Sequence, residues 1–105
     1  MDSKYNIEIE TEVFIEYLKR LTNQIYKLLP SREEGLDWKK PLTTILEELA
    51  GTKRLLTNYQ LKIFTLMCKL EGLFILEDEK HFFLFRKTIF ECLNIVGEMI
   101  KNGNW

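Results

Sequence analysis

Apolar residues near the end of the chain recur at the spacing of one α-helical face, and this feature constrains the fold most. They fall alternately three and four residues apart, at Phe82, Phe85, Ile89, Cys92, Val96 and Met99. A second apolar row runs beside them, at Phe83, Phe90, Leu93 and Ile100. Together the rows form a stripe wider than one neighbouring helix covers. The pattern therefore predicts a helix that is either central or part of a subunit interface.

Three further segments have helical periodicity, and breakers are few, with two prolines and five glycines in 105 residues. The sequence predicts four helices, at about 11–29, 38–56, 58–75 and 79–101. Short links between helices place consecutive helices side by side and antiparallel. We therefore predict an all-α fold, a single helical domain over residues 1–105, built as an antiparallel four-helix bundle that associates with itself.

Proline and capping residues suggest where the first two helices begin and end. Pro30 cannot continue a helix without losing a backbone hydrogen bond, so it predicts the end of the first helix. Ser31 and Glu34 have the spacing of a capping box and predict a separate single turn. Asp37 and Pro41 are competing starts for the second helix. The segment before the first helix, at 5–9, alternates weakly and is read as extended.

Later boundaries follow the same logic. Thr57 and Gln60 have capping-box spacing and predict the start of the third helix, with Leu56 and Leu61 as its hydrophobic staple. Asp78 is the expected N-cap of the fourth helix. Two glycines, Gly51 and Gly72, either end helices or lie inside them, and the sequence leaves both readings open.

The charge balance disfavours a protein that holds nucleic acid mainly through phosphates. The chain has 15 basic and 16 acidic side chains, whereas such proteins normally have a basic excess. Residues 1–16 are nevertheless acidic, and the following part of the chain is correspondingly basic. Five basic residues would form a ridge on the second and third helices: Lys39, Lys40, Lys53, Arg54 and Lys62. Trp38 and Tyr59 could supply stacking groups beside them. This ridge carries the alternative hypothesis, a nucleic-acid-associated helical module.

Catalytic, cofactor and metal signatures are missing from the sequence. His81 is the only histidine, and neither cysteine belongs to a CxxC pair. Periodicity places both Cys68 and Cys92 on apolar helical faces, so we read them as small buried hydrophobes. The sequence has no glycine-rich phosphate loop. We expect no catalytic residue, cofactor or metal, and an enzyme, the third hypothesis, would be of an unfamiliar kind.

The expected location is a reducing cytoplasm. The sequence shows no charged-then-apolar leader and no apolar run near the roughly 18 residues that a membrane span needs. Unpaired cysteines favour the same compartment. We expect no membrane association.

The favoured hypothesis is a small non-enzymatic interaction protein that docks an apolar helical face on itself, as a homodimer, or on a larger protein partner. Small regulatory, inhibitory or immunity-type proteins of bacteria have this size and chemistry, although that comparison is an analogy. The expected contact residues are four apolar positions of the last helix and one loop tryptophan: Phe83, Phe90, Leu93, Ile100 and Trp38.

Overall fold

The computed structural model describes the backbone of residues 3–55 and 59–101 and the side chains of residues 12–52 and 59–101. This part of the chain forms four α-helices: α1 (Ser3–Glu33), α2 (Lys39–Leu55), α3 (Gln60–Gly72) and α4 (Phe82–Lys101). Two short 3-10 turns join the last two helices, Leu73–Ile75 and Glu79–His81. The predicted all-α class is confirmed, since the described residues contain four helices and no strand.

The four helices pack in a ring, because each contacts the next along the chain and α1 also contacts α4. The molecule is elongated, with principal extents of 54 × 19 × 19 Å. Its radius of gyration is 14.8 Å, against about 13 Å for an ordinary globular chain of this length. Every helix contributes fully buried apolar side chains to one continuous core, among them Leu21, Ile45, Leu66 and Ile89.

The end of α1 differs from the sequence prediction. Pro30 lies inside the helix, which continues to Glu33, and the separate turn expected at 31–34 is absent from this described segment. The helix is capped by Gly35, two residues after its last residue, and the φ of 75° at this position suits glycine. Gly35 N–H donates to the Arg32 carbonyl (3.2 Å) and Leu36 N–H to the Ser31 carbonyl (2.8 Å), which is a Schellman cap. The cap satisfies carbonyls of the last turn, whereas Pro30 removes a single donor.

The start of α1 also differs. The segment at 5–9, read from the sequence as extended, is helical and belongs to α1. Extending an existing helix by one residue adds one hydrogen bond for each residue fixed, whereas starting one is costly. A weak local preference for extended backbone is therefore overcome by the helix that follows it.

Asp37 provides the start of α2. Its Oδ1 accepts hydrogen bonds from the backbone N–H groups of Lys39 (3.0 Å) and Lys40 (3.3 Å). Those donors have no partner within the helix, so the carboxylate satisfies them and also suits the positive end of the helix dipole. Pro41 lies in the first turn, where a missing N–H costs little. Asp37, not Pro41, therefore marks the boundary.

The remaining boundaries have mixed outcomes. Gly51 lies inside α2, while Gly72 ends α3 and leads into a 3-10 turn. The expected capping residue Thr57 and its companion Leu56 lie outside the described residues. Asp78 precedes the 3-10 turn before α4, but its side chain makes no capping hydrogen bond.

Candidate functional site

The candidate site is the outer face of α4, defined as Phe83, Arg86, Lys87, Phe90 and Gly97. Phe83 is 74% exposed and Phe90 41% exposed. These rings are seven residues apart, so they lie on one side of the helix about two turns apart. Gly97 is one further step of seven along the same side. No other atom of the described chain lies within 4 Å of the position that a Cβ on Gly97 would take, its own helix backbone aside.

Packing of the other sides of α4 fixes this orientation. Phe85, Cys92 and Met99, also seven residues apart, are fully buried. The row between, Leu84, Glu91 and Glu98, turns toward α3, because two of its carboxylates pair with α3 lysines. Glu91 lies 3.2 Å from Lys69, and Glu98 lies 3.3 Å from Lys62. Successive helical residues are about 100° apart, so the row beginning at Phe83 lies roughly opposite the buried row.

The outer face of α4 combines aromatic rings with positive charge. The Arg86 guanidinium lies 5.5 Å from the centroid of the Phe90 ring, within range of a cation–π contact. Lys87 is exposed next to it. This arrangement offers a partner both apolar area and positive charge in one place.

Leu93 and Ile100, two of the residues expected to bind a partner, form the edge of this surface. Both are half-buried and pack against the core. Each therefore has part of its surface inside the molecule and part available outside, next to the outer face of α4.

Trp38 is not an exposed anchor, contrary to the expectation from sequence. Its side chain is only 8% exposed. Its ring meets Phe85 edge-on, with 5.0 Å between centroids, and stacks on Phe74 at 6.3 Å. Because the glycine cap of α1 turns the chain back at once, Trp38 enters the core instead of facing solvent. We therefore remove it from the docking surface.

Arg32 ties the end of α1 to the start of α4, and sequence reasoning missed this residue. Its Nη2 donates hydrogen bonds to the backbone carbonyls of Leu76 (2.8 Å) and Asp78 (2.7 Å). The same guanidinium lies over the rings of Phe85 (4.7 Å) and Phe82 (5.2 Å). A basic residue in the last turn of a helix was visible in the sequence, but its acceptors lie more than 40 residues away.

An open groove of about 580 Å³ lies beside Arg32. It is lined by Trp38, Phe82 and a set of carboxylates, Glu33, Glu77 and Glu79. Lys39 pairs with Glu77 at 2.7 Å and its ammonium also lies 5.8 Å from the Trp38 ring centroid. The groove therefore has a mixed charge, with part of its acidity already neutralised by the chain's own lysine.

The basic residues of the alternative hypothesis do not form a free ridge in the described part of the chain. Lys39 and Lys62 already pair with Glu77 and Glu98. Lys40 is exposed at the start of α2. The side chains of Lys53 and Arg54 lie outside those described. Paired lysines contribute less positive potential to a phosphate backbone.

The cysteines occupy different environments. Cys92 is fully buried, as the sequence predicted, and burial raises the pKa of its thiol to about 12. Cys68 is exposed, and its prediction as a buried residue is wrong. The buried stripe of α3 runs through Ile63, Leu66 and Leu70, and Cys68 lies two positions from each of the last two, on another side of the helix.

His81, in the 3-10 turn before α4, is partly buried, and its Nδ1 has no hydrogen-bond partner among the described residues. Within those residues, no three histidine, cysteine, aspartate or glutamate side chains are grouped to hold a metal ion. None of the described helices is long and apolar enough to span a bilayer. Comparison of the chain with protein-family models, curated proteins and solved structures finds no match.

Proposed function

We propose that this protein is a non-enzymatic docking module, built as an antiparallel four-helix bundle, that binds another protein chain through the outer face of α4. The first partner that we propose is a second copy of the chain, so the protein is a homodimer. Its proposed role is to regulate or inhibit a further protein partner. The observation that carries the proposal is the exposure of Phe83 and Phe90 on one side of a helix whose opposite side is buried and whose two glutamates are ion-paired with α3.

Cross-helix contacts support the antiparallel arrangement. Lys62, early in α3, pairs with Glu98, late in α4, whereas the later Lys69 pairs with the earlier Glu91. The order of contacts is therefore reversed between the two helices. Arg32 at the end of α1 likewise contacts Phe82 at the start of α4.

The energetics of the exposed rings support docking. Fully burying an exposed phenylalanine side chain is worth about 1.5–3 kcal/mol, so covering the exposed parts of two rings in one patch can supply part of a binding free energy. Gly97 continues the same row without a side chain, so the backbone of a partner can approach α4 closely there. Leu93 and Ile100 widen the apolar area at its edge.

The proposed location is the cytoplasm. Cys68 and Cys92 are both free thiols. Free thiols are stable in a reducing compartment, whereas secreted domains of this size commonly use disulfides.

Sedimentation equilibrium over a wide range of concentrations tests the proposal with three proteins. The wild type is expected to form a dimer, and Phe83→Ser/Phe90→Ser is expected to be a monomer with an unchanged helical circular dichroism spectrum. The matched control is Leu61→Ser/Ile75→Ser, which removes two exposed apolar side chains elsewhere. This control should form a dimer as the wild type does.

Two results would overturn the proposal. One is a wild type that stays monomeric at every concentration. The other is a Phe83→Ser/Phe90→Ser variant that dimerises as strongly as the wild type.

A further inference from the structure

We infer that the outer face of α4 receives the acidic start of α1 from a second copy of the chain. We call this start, residues 3–16, the acidic arm. The inference rests on the docking function proposed above and adds which element of the partner copy is bound.

The first reason is a difference in helix length. α1 has 31 residues and α4 has 20, which correspond to about 46 Å and about 30 Å. About 16 Å of α1 therefore has no length of α4 beside it. Among the described side chains of α1, Phe14 is the first that is buried, and Val13 before it is 64% exposed. The part of the arm before Phe14 is thus a helical segment that the described length of α4 does not reach.

The second reason is the charge of the arm. Residues 3–16 contain four glutamates and one lysine: Glu8, Glu10, Glu12, Glu16 and Lys4. Glu12 and Glu16 are both exposed and are four residues apart, so they lie on one side of α1. Neither takes part in an ion pair within the described residues. Their negative charge is available to a partner.

The third reason is the opposite charge of α4. This helix has five charged residues, and its two glutamates pair with lysines of α3. The charges that remain are all positive and exposed: Arg86, Lys87 and Lys101. Arg86 and Lys87 lie beside Phe83 and Phe90. The outer face of α4 therefore matches an acidic helix that also carries an apolar residue such as Val13.

Charge also disfavours the simplest alternative, in which α4 of one copy packs on α4 of the other. That pairing would bring Arg86 and Lys87 of both copies into one interface, and like charges oppose association. Exchange of arms avoids this repulsion. If each copy gives one arm and receives one, a twofold axis relates two identical contacts and the assembly closes as a dimer.

A charge-swap experiment tests the inference by sedimentation equilibrium, with circular dichroism as a check on folding. Glu12→Lys/Glu16→Lys and Arg86→Glu/Lys87→Glu should each weaken the dimer by at least about tenfold, since each places like charges in both contacts. The protein that combines all four substitutions restores opposite charges and should dimerise within a few-fold of the wild type. The matched control is Lys27→Glu/Lys40→Glu, two exposed lysines outside both the arm and α4, and its dimerisation should be unchanged.

The results separate this inference from the docking function. If Glu12→Lys/Glu16→Lys dimerises as the wild type does while Phe83→Ser/Phe90→Ser does not, the arm is not the bound element but the docking function stands. If both charge-reversed proteins dimerise more weakly and the combined protein does not regain wild-type dimerisation, the pairing of the arm with the outer face of α4 is overturned. If the wild type is a monomer throughout, both proposals fail.

Discussion

Two neighbouring rows on α4 are alike in spacing and different in chemistry. The row Leu84, Glu91 and Glu98 faces α3, and both of its carboxylates meet lysines of that helix. The row Phe83, Phe90 and Gly97 lies about 100° further round and exposes two aromatic rings. The carboxylates of α4 therefore occur where the chain supplies their partners, while two aromatic rings are exposed on the side facing away. In a single stable molecule the opposite distribution would be expected, and this difference makes the outer face of α4 the candidate interface.

The largest expected difference in the free energy of unfolding is between alanine substitutions of two phenylalanines that are two residues apart on α4. Phe85→Ala should lower the free energy of unfolding by about 3–5 kcal/mol, because its ring is fully buried and its loss leaves a cavity. Phe83→Ala should change it by less than about 0.5 kcal/mol in the monomer, because that ring is largely in water. Urea unfolding at a protein concentration too low for dimerisation measures both changes in the free energy of unfolding. Equal losses at the two positions would contradict the assignment of inner and outer faces.

The same comparison indicates what the sequence could predict. Helical periodicity alone identifies which residues of α4 are buried, because the spacing of three and four residues is a local property of the helix. Of the predicted face, five residues are buried, Phe85, Ile89, Cys92, Val96 and Met99, and the first, Phe82, is partly buried. The second row was identified in the same way, and Phe83 and Phe90 are exposed.

Features that depend on distant contacts could not be read in this way. Trp38 stands in a polar loop in the sequence, and its burial depends on where Phe74 and Phe85 lie. Arg32 binds carbonyls that are 44 and 46 residues away. The end of α1 differs from its prediction for another reason, because the left-handed Gly35, and not Pro30 five residues before it, stops the helix. Tertiary packing and cap geometry decide these positions.

The next largest change in the free energy of unfolding is expected from Arg32, at the end of the molecule where the last turn of α1 meets the start of α4. Arg32→Ala should lower the free energy of unfolding by about 2 kcal/mol, since two backbone carbonyls lose a charged donor. Arg32→Lys should recover only part of this, because an ammonium cannot reproduce the planar guanidinium over two rings. Lys27→Ala serves as a control on the same helix, at an exposed position, with a loss below about 0.5 kcal/mol. An Arg32→Ala protein as stable as the control would mean that this contact does not hold α1 to α4.

A smaller change in stability, which depends on pH, is expected from Cys92 in the buried row of α4. Burial raises the pKa of Cys92 from 9.0 to about 12, so the folded state keeps the thiol protonated while the unfolded state loses its proton. This contribution to stability is complete below about pH 9 and is lost as pH rises toward 12. At pH 10 the loss is about 1 kcal/mol.

Urea unfolding of the wild type and Cys92→Ala between pH 8 and pH 10.5 measures this loss, because the variant shares every other titrating group. The stability advantage of the wild type should shrink as pH rises. An advantage that stays constant would mean that Cys92 is accessible to water in the folded state.

The smallest effect tests the ion-paired side of α4 directly. A double-mutant cycle on Lys69 and Glu91 should give a coupling free energy of about 0.5 kcal/mol, since both side chains are partly exposed. The pair of Lys62 and Glu98 is more exposed and longer, so its coupling should be smaller. Both couplings should decrease with added salt. If neither pair is coupled at low salt, the lysines of α3 do not hold the glutamates of α4, and Glu91 and Glu98 are free to offset the positive charge of Arg86 and Lys87. That result would weaken the electrostatic reason for choosing the acidic arm as the partner of the outer face of α4.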